Sequence, residues 1–123
     1  MKEEQRLFRR WTFNLANDLI DEGWPRNYAF KQAHLCRRLL ECLGMGKVVF
    51  EYYKKDGTVR RAHGTLCKGI SRELDHYEYK TEHDKKNPFG VFTYFDLDAT
   101  GFRTFSVTNL IRISETVIKS KSL

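Results

Sequence analysis

Apolar residues in the first third of the chain recur at helical spacing. Leu7, Trp11, Leu15 and Leu19 follow one another every four residues, and Phe8 and Ile20 widen the stripe. This pattern predicts an amphipathic helix over 3–22. Gly23 stands where a C-cap glycine belongs, and Trp24-Pro25 interrupts the pattern. A second stripe, Ala29, Ala33, Cys36, Leu40 and Leu43, is flanked by Phe30 and Leu39. It predicts a helix over 28–43, capped by Asn27 and ended by Gly44-Met45-Gly46. The short break between them makes residues 1–46 a helical hairpin.

At Lys47 the helical period gives way to alternation. Residues 47–54 read as a strand, Lys55-Asp56-Gly57 as a hairpin turn, and 58–66 as the return strand. A two-residue loop would pair Phe50 with His63. A three-residue loop, with Gly57 left-handed in a bulge, would pair Phe50 with Ala62 and Glu51 with Arg61. The second register is preferred. It puts Val48, Phe50, Tyr52, Ala62, Gly64 and Leu66 on one face and sets opposite charges across the other. Val49, Tyr53 and Val59 then share the second face, part of which the helices are expected to cover.

Residues 68–90 are polar and read as a long excursion, with room for a short strand at 76–80. Residues 91–97 are a third strand, 98–101 a turn, and 102–107 its return, with Leu97 opposite Phe102, Asp96 opposite Arg103 and Tyr94 opposite Phe105. A short last strand covers 109–113, and 114–123 is a polar tail. Two helices followed by five short strands give an α+β chain in which 47–113 forms a small, strongly bent barrel.

Composition adds three constraints. The chain has 123 residues, 41% of them hydrophobic and 14% aromatic, which suits one packed domain and excludes global disorder. Three cysteines without framework spacing fit free thiols in a reducing compartment, so the expected location is cytoplasmic. The charged opening Met-Lys-Glu-Glu-Gln-Arg is no secretory leader, and no apolar run is long enough to span a bilayer. The third constraint is charge. Twenty-two basic residues against 16 acidic ones leave a net +6. Half of that excess lies on 47–67, where Lys47, Lys54, Lys55, Arg60 and Arg61 outnumber Glu51 and Asp56 by 5 − 2 = 3. Such a patch favours a polyanionic partner.

Two stretches carry a family likeness. Phe50-Glu-Tyr-Tyr-Lys-Lys-Asp-Gly-Thr-Val-Arg-Arg-Ala-His-Gly-Thr-Leu66 is one; Tyr94-Phe-Asp-Leu-Asp98 followed by Phe102-Arg-Thr-Phe-Ser-Val-Thr-Asn-Leu-Ile111 is the other. Together they resemble a family of small bacterial and phage proteins, relatives of the WYL domain, with an SH3-like, Sm-like β-barrel. The resemblance covers about residues 47–113. It implies the barrel fold. WYL domains as a class are regulatory ligand-binding modules, with nucleic acids or nucleotides among their suggested ligands.

Packing competes with chemistry as the role of each reactive side chain. Cys67, His76 and His83 would form a metal site only if the excursion folded back, and neither Cys-x-x-Cys nor His-Glu-x-x-His occurs. Ser71 and Ser106 lack a nucleophile elbow, Cys36 and Cys42 ride on a helix, and His34 borders its stripe. Asp96 reads as the structural partner of Arg103. No Gly-rich phosphate loop is present. The expectation is therefore a non-enzymatic regulatory or adaptor protein, with no cofactor and no metal. Lys54, Lys55, Arg60 and Arg61 supply phosphate contacts and Tyr53 a stacking face for a nucleic acid or nucleotide. The alternative is a protein-interaction module or phage-type inhibitor of a host protein. It would use His76, Tyr77 and Tyr79 on the excursion, or the helices through Trp11 or Trp24.

Overall fold

The structure is a computed structural model that describes residues 3–76 and 90–118. The short strand anticipated at 76–80 falls, beyond His76, outside the described residues, as do Tyr77, Tyr79, His83 and the Lys85-Lys86 doublet.

Helix α1 spans Glu3–Asp21 and α2 spans Arg26–Met45. Gly23 closes α1 at φ +106°, and its N–H reaches Ile20 O while that of Trp24 reaches Leu19 O. This is a Schellman cap, and the positive φ explains the glycine. Pro25, not Asn27, occupies the N-cap of α2, so the helix starts two residues before the expected Tyr28. Its fixed φ of −58° suits that place, and its carbonyl accepts the N–H of Ala29. At the other end Gly44 and Met45 remain helical, and strand β1 (Gly46–Tyr53) follows without a loop. Strand β2 (Val59–Thr65) makes that junction possible. Leu66 N–H donates to Leu43 O at 2.9 Å, and Thr65 Oγ1 donates to Gly46 O at 2.7 Å, satisfying carbonyls that a helix end leaves open.

The buried stripes differ from the expected ones by small rotations. On α1 Thr12, Leu15, Ala16 and Leu19 are buried, whereas Leu7 is 56% exposed. A strict four-residue row drifts by about 40° per step on a 3.6-residue helix, so Leu7 and Leu19 cannot share one narrow face. On α2 Leu39 is fully buried in place of Leu40.

The first hairpin has the expected register, Phe50 opposite Ala62 and Glu51 opposite Arg61. Gly57 sits at φ +86°, and Asp56 Oδ1 accepts both the N–H and the hydroxyl of Thr58. A one-turn helix α3 (Arg72–Asp75) interrupts the excursion, capped by Ser71. The turn between strands β3 (Val91–Asp96) and β4 (Gly101–Ser106) comes one residue earlier than expected, which shifts each partner by two, with Asp96 opposite Gly101 and Tyr94 opposite Arg103. A 3-10 turn (Val107–Asn109) leads into β5 (Leu110–Ile118). Residues 114–118, read from sequence as tail, are strand, because β5 pairs along β1 from Tyr52 as far as Gly46.

The sheet order is β4-β3-β2-β1-β5, all antiparallel. Tyr52 on β1 stacks on Phe105 of β4 at 4.3 Å between ring centroids. In a flat sheet those strands would lie roughly 14 Å apart, so the sheet curls on itself. Register irregularities in the β1–β5 ladder accompany the bend. Phe50, Tyr52, Phe92, Tyr94 and Phe105 fill the inner face. Helix α2 closes the open side. Leu43 reaches the inner face beside Gly64, and Gln32 Nε2 donates to the carbonyls of Val107 and Leu110. The helices do not cover the outer face of the first hairpin, where Tyr53 and Val59 remain half exposed.

Candidate nucleic-acid interface

Strand alternation splits the basic doublet of β2. Arg60 lies opposite Tyr52 and so belongs to the inner face, at the mouth of the barrel. Arg61 lies opposite Glu51 on the outer face, where Arg112 Nε also stands 3.4 Å from Glu51 Oε1. At the mouth the ends of β1 and β2 meet β4 across an open groove of about 670 Å³. Lys54, Lys55, Arg60 and Arg103 line it, as do Tyr53 and Phe102, although alternation sets those two on the outer face. Thr104, Ser106 and Asn109 add hydrogen-bonding groups, and no carboxylate among the described residues lines it. Four of the five expected binding residues, Lys54, Lys55, Arg60 and Tyr53, thus fall together, while Arg61 faces away.

Arg103, read from sequence as structural only, joins them. Tyr94 sits opposite Arg103, and Phe92 opposite Phe105, so alternation puts Arg103 on the inner face. That signal was present in the Arg-x-Phe spacing but required the fold to show that Arg60 approaches from the facing strand. Beneath the groove lies Asp96, its side chain only 4% exposed. Its Oδ2 is 2.8 Å from Arg103 Nε and 4.0 Å from Arg60 Nη1. The Arg103 Nε–H is not in line for a hydrogen bond to it, so the contact is an ion pair. Asp96 Oδ1 accepts the N–H groups of Asp98 and Ala99, both at 2.9 Å. One carboxylate therefore fixes the β3–β4 turn and holds two guanidinium groups at the groove floor. Tyr52 and Tyr94 share a 2.8 Å hydroxyl contact below them. Burial, then that contact, raises the Tyr94 phenol above its usual range, so it stays protonated.

The other candidates have structural employment. Ser71 caps α3 and Ser106 bonds Thr108 at the 3-10 turn. Cys36 donates to Val107 O, and burial pushes its thiol up to about 12, far from a nucleophilic thiolate. Burial also raises Cys42. Among the described residues no group of three or more His, Cys, Asp or Glu side chains could hold a metal ion. His76, expected as a partner anchor in the alternative reading, ends α3 and is exposed. Among those residues, too, no helix is long and apolar enough to cross a membrane.

Residues 36–111 match the model of a protein family, WYL_2, described as an Sm-like SH3 beta-barrel fold. No curated protein and no solved structure matches the chain.

Proposed function

The chain belongs to the WYL_2 family of Sm-like SH3 β-barrels, and on that premise we propose that it is a non-enzymatic regulatory module that binds a single-stranded nucleic acid or a nucleotide at the barrel mouth. The family assignment supports a binding or regulatory module in general, and such folds are typically non-catalytic. The ligand class rests on the mouth groove, which gathers Lys54, Lys55, Arg60 and Arg103 with Tyr53 and Phe102 and has no acidic lining residue among those described. The cations neutralise phosphate, while an exposed ring offers a base a stacking surface of about 1–3 kcal/mol. The buried Asp96 preorganises two of the cations, which lowers the cost of ordering them on binding.

Titration of single- and double-stranded oligonucleotides at several salt concentrations tests this reading. The logarithm of the affinity is expected to fall linearly with the logarithm of salt. Arg60→Ala or Lys54→Ala should reduce the slope by about 0.7–0.9 per lost phosphate contact. Arg61→Ala, on the opposite face, should leave it nearly unchanged. Absence of binding at ~50 mM salt refutes the proposal.

A further inference from the structure

The helical hairpin carries an apolar groove remote from the barrel mouth. One residue on from buried Ala29, Ala33 and Cys36, a row of Phe30, His34 and Arg37 continues to Glu41 along α2. Phe8, Arg9 and Phe13 of α1 face this row across an open groove of about 710 Å³. A second hollow of about 590 Å³, lined by Leu7, Trp11, Leu40 and Met45, adjoins it through Phe8 and Glu41, which line both. Phe13 is 54% exposed and Met45 45%. Clustered rather than scattered, such side chains mark an interaction surface. The groove wall is already ordered: Phe13 packs edge-on to Phe30 at 5.8 Å, and Arg26 lies 5.1 Å over the Phe30 ring.

Charge decides what fits there. Arg9 and Arg37 line the groove. Among the described residues its one lining carboxylate, Glu41, is 3.0 Å from Arg37 Nη1 and so already engaged. Arg37 Nε is buried and has no hydrogen-bond partner among the described residues. We infer that the groove is a docking site for an acidic amphipathic helix of a partner protein. The helix lies along α1 and α2 with apolar residues at i, i+3, i+4 and i+7 on Phe8, Phe13 and Phe30 and carboxylates against Arg9 and Arg37. A second copy of the chain is disfavoured, because it would set these arginines against their own kind and brings a net charge of +6. The site is separate from the mouth groove, so the chain can hold a protein and a nucleic acid at once.

Amide chemical-shift titration of the full chain tests this inference with three synthetic helical peptides. One has leucines at i, i+3, i+4 and i+7 with glutamates elsewhere; the second replaces glutamate by lysine; the third scrambles the leucines of the first. The first peptide is expected to shift the amides around Phe13, Phe30 and Arg37 and to bind at least tenfold more tightly than the other two. Phe13→Ser should weaken it at least fivefold while the helical circular dichroism is retained, since that ring is half exposed and outside the buried core. Arg9→Glu, at an exposed position, should abolish the preference for glutamate over lysine. Equal binding of the three peptides, or shifts elsewhere on the surface, overturns the inference. So does displacement of the peptide by an oligonucleotide, or a dimer in sedimentation that Phe13→Ser dissolves. Failure of oligonucleotide binding leaves these outcomes untouched, so the two sites stand or fall separately.

Discussion

Gly64 and Arg60 show how much a single inner-face position of β2 decides. A Cβ on Gly64 would stand 2.8 Å from Tyr94 Cδ2 and 3.0 Å from Phe50 Cε1, rings that are fully buried. The glycine is required by close approach of the barrel walls. Gly64→Ala is expected to destabilise the protein by about 1–3 kcal/mol, as overpacking does in a filled core. In urea unfolding this appears as a lower midpoint with unchanged slope; an unchanged midpoint would mean that the two rings can move aside. Four residues earlier on the same face, Arg60 reaches the mouth groove, whereas its neighbour Arg61 cannot. Alternation made that split readable from sequence. The arrival of Arg103 beside Arg60 depends on curling of the sheet, which no local pattern encodes.

At the scale of elements, the two hairpins differ in how fully their turns were legible. In the first, Asp56 and Gly57 specify a turn whose geometry fixes the register, and the pairing of Phe50 with Ala62 followed. In the second, Asp96 itself folds the turn by accepting two backbone N–H groups, which ends the β3–β4 ladder one residue early. Arg103 still meets Asp96, diagonally, because moving the partner of Asp96 from residue 103 to 101 preserves the face. Asp96→Asn keeps an acceptor for the turn and removes the charge beneath the groove. Oligonucleotide affinity at low salt is expected to rise, because one added net positive charge outweighs the loosening of the two arginines. Stability should fall by about 1–3 kcal/mol, the usual cost of a lost buried partner. Filter binding and chemical denaturation read the two effects, and a fall in affinity would show that Asp96 acts chiefly by positioning the arginines.

Across the whole molecule, α2 behaves as part of the barrel. Leu39 and Leu43 are fully buried in the same cluster as Val48, Phe50 and Tyr94, and Gln32 and Cys36 occupy carbonyls at the β4–β5 connection. A fragment of residues 47–123 would expose that inner face to water and leave those carbonyls without their partners. Such a fragment is expected to show no cooperative thermal unfolding, while the full chain unfolds in one transition. A fragment that melts cooperatively would make the helices an appendage. Helix α1 packs chiefly on α2, and the docking groove runs along the seam between them.

Local chemistry in the sequence determined the elements, the first hairpin register and the fold class, because helix period, strand alternation, a C-cap glycine and an Asp-Gly turn each act over a few residues. It also put the charge excess on the first hairpin. Tertiary structure alone decided which of those charges act together, through the curl that brings β4 over β1 and seats Arg103 beside Arg60 above Asp96. It also turned residues 114–118 from an apparent tail into strand. Their side chains are exposed and carry no burial signal, and the order comes from backbone hydrogen bonds to β1.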